Sequence, residues 1–185
     1  MSFSLGEISA LIFKAGRGAG LQWGEAEELA SAARWLSARG LPGPEAALTL
    51  LATNHGASAL SAGIMLSDVG LAGDVELFDV RSPLLVVPFV ARVLTPEQGC
   101  DFDVNGSLSH VRSYGVECGN PMDSFGDLKV SMSAPRVVEA VRCARVAAIS
   151  TTDFQRLNAL AARTYAPISD HSRLAGAGAG LADLD

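Results

Sequence analysis

Lysine is nearly missing from this sequence. Of 14 basic residues only Lys14 and Lys129 are lysines; the rest are arginines. Cysteine is equally sparse, with Cys100, Cys118 and Cys143 far apart and none in a CxxC pair. An odd number of dispersed cysteines argues against a disulfide scaffold and for reduced thiols in the cytoplasm. His55, His110 and His171 form no HxxxH or HExxH pattern, so neither metal nor cofactor is expected. No apolar run approaches the ~20 residues that cross a bilayer. The longest, Leu84 to Ala91, contains Pro88, and Met1 to Glu7 has no basic segment of the kind that opens a signal peptide. GxxxxGK[ST] and GxSxG are absent as well, which removes the P-loop and the nucleophile elbow.

What is present describes a globular chain. Apolar residues make up 49% and charged residues 18% of the 185, enough for one core without metal or disulfide staples. The formal charge of −6 opposes phosphate backbones, so nucleic acid is not an expected partner. Charge is uneven along the chain. Residues 41–133 carry four basic and eleven acidic side chains, whereas residues 134–185 carry six arginines: Arg136, Arg142, Arg145, Arg156, Arg163 and Arg173. Arginine recognises carboxylate and phosphate in bidentate fashion, and it also serves ordinary surface pairing.

The pattern of apolar positions predicts an α+β fold in one domain over residues 1–185. Residues 1–98 form a mainly helical layer, 99–150 a mostly antiparallel sheet, and 151–185 a C-terminal helix with a docked Gly-Ala tail. Ser4 and Glu7 form a capping box for a helix over 4–18, with Leu5, Ile8, Ile12 and Ala15 on one stripe. A second helix runs from Trp23 to about Arg39, with glutamates early, arginines late and Gly40 as its stop. Trp23 is expected in the core and Trp35 at the flank of this helix. Pro44 to Thr53 suits a third, short helix. Residues 54–81 show turn signals at Gly70, Gly73 and Asp74 but no clear period. Leu84 to Leu94 suits a helix or a buried strand; the helix is preferred because Ser82-Pro83 can cap it, with a kink at Pro88.

From Cys100 the period becomes two. Phe102 and Val104 alternate with aspartates before the tight turn Asn105-Gly106, and a second strand covers Leu108 to Cys118. Residues 127–133 alternate with Leu128, Val130 and Met132 inward, and Arg142 to Ile149 is a fourth strand. Thr152 or Asp153 caps a final helix that Pro167 ends.

Two constellations could hold a ligand. Strand geometry places His110, Arg112 and Tyr114 on one side of the second strand, able to hold an anionic or carbonyl-bearing molecule and move a proton. The alternative is a solvated strand face, and a bulge near Gly115 would disturb the count. The second group is Arg163, Tyr165 and Arg173, on a tail that folds back beside a ligand or partner or simply ties down the C-terminus. Ser169, Asp170 and His171 adjoin on that tail and do not make a hydrolase triad, which is assembled from distant points. Gly176 to Gly180 reads GxGxG, but no strand precedes it and only five residues follow, so it is no dinucleotide loop. Glycine and alanine there permit close backbone approach to the domain or to a neighbouring subunit of a homo-oligomer.

Both ends of the chain carry a resemblance. Residues 15–21, Ala-Gly-Arg-Gly-Ala-Gly-Leu, stand before Trp23-Gly24, then come Ala33-Arg34-Trp35-Leu36 and Arg39-Gly40-Leu41. At the other end are Leu160 to Tyr165, Pro167, Ser172-Arg173 and Gly176 to Gly180. Together these are similar to a bacterial family known as domain of unknown function 3726. Two departures lie at residues 168–171, where the family has a Thr-Glu pair, and at 181–185, which lack a Thr-Asp start. The resemblance implies a free-standing intracellular protein and transfers no activity, cofactor or site residue.

Two classes of function fit. One is a non-catalytic binding or accessory protein of small-molecule metabolism, taking a small anionic ligand or a protein partner. The other is a small-molecule enzyme using His110, Arg112, Tyr114 or the tail residues. The lack of a concentrated nucleophile, metal or cofactor motif favours the first, and no catalytic residue is assigned.

Overall fold

Strand β1 (Ser2–Ser4) runs directly into helix α1 (Leu5–Gly18). In this computed structural model, which describes residues 1–52, 59–71, 73–118, 125–134 and 143–164, the capping box is complete. The Glu7 N–H donates to Ser4 Oγ at 3.2 Å and the Ser4 N–H donates to Glu7 Oε2 at 2.8 Å. Hydrogen bonding to the Glu7 carboxyl, from the Ser4 hydroxyl first and the Ser4 backbone N–H second, holds it below its ordinary value. A lowered carboxyl stabilises the fold above its unfolded pKa and loses that effect as pH falls through the folded one. Helix α2 (Trp23–Ala38) opens on a second box, with the Gln22 N–H donating to Glu25 Oε2 at 2.8 Å.

Both helices stop in the same way. Past α1, Gly20 (φ 100°) donates to the Arg17 carbonyl and Leu21 to Gly16; past α2, Gly40 (φ 74°) donates to Ser37 and Leu41 to Leu36. This paired bond pattern needs a left-handed residue, which is why glycine stands at each stop. Helix α3 (Gly43–Leu51) follows, with Pro44 in its first turn as the sequence predicts.

Helix α4 (Ala59–Val69) and strand β2 (Val75–Arg81) fill a stretch without a legible period. The α4 residues are apolar nearly all round, and β2 breaks its own alternation where the pairing shifts between Leu77 and Val80 and Asp79 takes φ 54°. The expected kinked helix over 84–94 is instead a 3₁₀ turn (Pro83–Val86) followed by α5 (Val87–Val93). Pro88 lies in the first turn of α5, where its missing N–H costs no helical bond. Ser82 does not cap either element; it sits at φ 56° and donates its hydroxyl to the Ala46 carbonyl at 2.7 Å.

Strands β3 (Gly99–Val104) and β4 (Ser107–Arg112) form the predicted hairpin around Asn105 and Gly106, both at positive φ. The single strand expected over 108–118 is two: a turn at Ser113-Tyr114 separates β4 from β5 (Gly115–Cys118). With β6 (Phe125–Ser133) they make a five-stranded antiparallel sheet in the order β2-β6-β3-β4-β5. Leu128 and Val130 point into the core from β6, as alternation predicts. The strand expected over 142–149 is shorter and lies outside that sheet. Strand β7 (Val146–Ala148) pairs with β1, and Met1 extends the ladder through its exchange of bonds with Ile149. Helix α6 (Thr151–Ala162) is capped by Ser150 rather than Thr152 or Asp153, because Ser150 Oγ is the group that accepts from the Asp153 N–H. The docked tail expected after it lies outside the described residues.

The fold is α+β, and one continuous core joins Ile8 and Ile12 of α1 to Leu36, Phe89, Phe102 and Leu157. Helix α1 lies between α2 and α6; α2 also touches α4 and α5, and the 3₁₀ turn and α5 meet β6 and β4. Small residues set these spacings. A Cβ on Gly63 of α4 would collide with the buried ring of Phe89. Replacing Gly63 by Ala is therefore expected to destabilise by about 1–2 kcal/mol net, an overpacking cost at the upper end of the ~1–3 kcal/mol range outweighing the ~1 kcal/mol helix-propensity gain. Denaturant unfolding checks this, and an unchanged or raised midpoint contradicts it.

Candidate functional site

Arg17 in the last turn of α1 and Arg163 at the C-cap of α6 come from opposite ends of the sequence and open onto one cleft. They meet because α1 and α6 cross with nothing between them. A Cβ on Gly18 would fall on the Leu160 carbonyl oxygen, so glycine alone fits there. The cleft encloses about 520 Å³, with Phe13, Lys14, Arg17, Trp23, Arg163 and Thr164 around the turn at Gly18 to Gly20. That size is within the roughly 300–1,000 Å³ of small-molecule sites.

Its electrostatics are one-sided. Three cations line it, and among the described residues no carboxylate does. Cations at helix C-termini also have a structural role, since each terminus carries about half a negative charge. Two such termini amount to about one negative charge against the two full positive charges of Arg17 and Arg163, so a positive excess remains. Arg17 Nη1 donates to the Leu21 carbonyl and its guanidinium lies 5.8 Å from the Trp23 ring centroid. Arg163 is exposed.

Trp23 corrects the sequence expectation. It is 61% exposed rather than buried, because it occupies the first turn of α2 beside the cleft, outside the Ala26–Leu29–Ala33–Leu36 stripe. Its position is nonetheless defined. Nε1 donates to Glu27 Oε1 at 2.9 Å, and the ring meets Phe13 edge-on with centroids 5.0 Å apart. Trp35 is half-buried at the flank of α2, beneath the Arg39 guanidinium at 3.6 Å.

The other predicted constellation has a different geometry. His110 and Arg112 project from the same side of β4 and are 3% and 7% exposed, while Tyr114 has moved into the turn, where its ring lies 5.3 Å from the Arg112 guanidinium. Arg112 also donates to the Pro96 carbonyl. The His110 Nδ1 lies 2.6 Å from Asp101 Oδ1 across the β3–β4 pair, with Ser133 Oγ 3.4 Å from the same nitrogen. A nucleophilic relay needs serine on one ring nitrogen and carboxylate on the other. Here both stand at Nδ1, and Nε2 faces Gly99, where a Cβ would come within 2.9 Å of it. This arrangement orients an imidazole and does not activate Ser133.

Tyr165 and Arg173 lie outside the described residues, so of the tail group only Arg163 is placed. Lys14, Arg17, Phe13 and Trp23 were not singled out as site residues from sequence, although Arg17 and Trp23 stand in the segment that carries the family resemblance. Among the described residues no group of His, Cys, Asp and Glu side chains is arranged to hold a metal. A smaller cleft of about 280 Å³ beside β2 and β6 carries carboxylates that their neighbours in the fold engage, Glu76 pairing with Lys129. Asp127 accepts from the Asp79 N–H, and Asp103 from the Gly106 N–H. Cys100 is buried, and burial together with the neighbouring Asp101 charge pushes its thiol up to about 12, whereas Cys143 is exposed. No helix among the described residues is long and apolar enough to cross a membrane.

Residues 3–76 match the model of a family described as a protein of unknown function, DUF3726, in agreement with the resemblance read at the N-terminal end of the sequence. That segment holds Phe13, Lys14, Arg17 and Trp23; Arg163 and Thr164 come from beyond it. No curated protein and no solved structure matches the chain.

Because Trp23 is exposed, its replacement by Ala is expected to cost less than ~1 kcal/mol in denaturant unfolding, far below the ~3–5 kcal/mol of a core tryptophan. A loss in the core range contradicts the placement of this ring at the surface.

Proposed function

We propose that this protein is a non-catalytic binding protein of small-molecule metabolism, and that it takes a small anion in the cleft between the ends of α1 and α6. The observation that carries this reading is the convergence of Lys14, Arg17 and Arg163 on a 520 Å³ concavity without a lining carboxylate among the described residues. The chain as a whole is acidic, at −6, so a local positive site stands against the field of the molecule. A small anion fits that contrast; a nucleic-acid backbone, repelled by the remainder of the surface, does not. Arginines at a bidentate distance from carboxylate or phosphate oxygens supply charge-assisted hydrogen bonds, each stronger than a neutral one. The free thiols of Cys100 and Cys143 suit a cytoplasmic setting for such a protein.

The test is calorimetric titration of the full chain with inorganic phosphate. Binding that weakens about tenfold or more in Arg163→Ala, and weakens with added sodium chloride, is the expected result, since a charge-assisted hydrogen bond is worth roughly 1.5–3 kcal/mol. Absence of binding, or the same affinity in the variant, contradicts the reading.

A further inference from the structure

We infer that the anion held in this cleft carries a flat aromatic group, which lies on the Trp23–Phe13 pair and extends into the groove between α1 and α2. The inference rests on the anion-binding reading above and adds a second requirement to it. Phe13, Lys14 and Trp23 line both the cationic cleft and a neighbouring groove of about 580 Å³, so the two are continuous. The groove is mixed in character, with Lys14, Arg34 and Glu27 on its walls. Its floor is small and weakly polar, from Gly6 and Ala10 of α1 and Ala30 of α2, leaving depth for a ligand body between the two helices. Two aromatic rings thus stand where the cationic cleft runs into the groove.

The state of Trp23 specifies the flat group. A ring 61% exposed leaves apolar surface in water that a ligand can cover. The ring does not have to be ordered on binding, because the bond from Nε1 to Glu27 and the edge contact with Phe13 already fix it. A surface held in its bound orientation loses little conformational entropy on association. Phe13 meets the indole at 69° and the Arg17 guanidinium lies over the ring, a cation and aromatic environment that favours a planar partner over a globular aliphatic one.

Titration with phenyl phosphate and cyclohexyl phosphate separates the two requirements, because these probes match in charge and nearly in size and differ in flatness. Phenyl phosphate is expected to bind about three- to tenfold more tightly, the range that an aromatic contact provides. Trp23→Leu is expected to remove the difference between the two probes, and Arg163→Ala to weaken both probes alike. Equal affinities in the unaltered protein overturn the aromatic inference and leave the anion reading intact. A preference for phenyl phosphate that survives in Trp23→Leu overturns the role of the indole. Failure of both probes to bind overturns the anion reading and, with it, this inference.

Discussion

The C-terminal turn of α1 and the last turn of α6 meet at Gly18, whose missing side chain lets the Leu160 carbonyl approach the α1 backbone. That approach brings two helix C-termini, two arginines and a lysine to one place. Just beyond it the chain turns at Gly20, whose left-handed backbone allows the paired bonds from Gly20 and Leu21 back to Arg17 and Gly16. The same turn delivers Trp23 to the rim, and a wider crossing would separate Arg163 from the other two cations. The cleft is therefore a consequence of helix packing, and the packing is set by a residue with no side chain.

The electrostatic outcome follows from that geometry. Two carbonyl-rich helix ends side by side repel one another, and cations beside them relieve the repulsion. Arg17 and Arg163 together do more than this requires, and the excess gives the cleft its character. His110 illustrates the opposite case. It is nearly enclosed, hydrogen-bonded to Asp101 across two strands, and seated over Gly99.

Local signals in the sequence were decisive wherever the structure is local. Ser4 with Glu7, Gly40 after α2, Pro44 and Asn105-Gly106 each act within a few residues, and each stands where its chemistry requires. Features set by partners distant in sequence were not legible. The alternation of β2 is interrupted at its own register shift, β7 pairs with the first residues of the chain, and α4 is apolar on too many sides to show a stripe. Trp23 misleads for the same reason, since a large aromatic beside an apolar stripe reads as core until its place on the helix is known. For the site, sequence brought Arg163 forward for its charge and the glycine-rich segment for its resemblance. Only the crossing of α1 with α6 shows that they face one another.

The most direct measurement compares Gly18→Ala with Gly63→Ala, following the melting temperature and phenyl phosphate affinity of each folded variant. Both substitutions force a Cβ into a closed helix contact, at α1–α6 in one case and α4–α5 in the other. Both variants are expected to melt at lower temperature, but only Gly18→Ala is expected to weaken binding, by about tenfold or more, equivalent to 1.4 kcal/mol. Unchanged affinity in Gly18→Ala, or an equal loss in the two, contradicts the claim that the α1–α6 crossing builds the site.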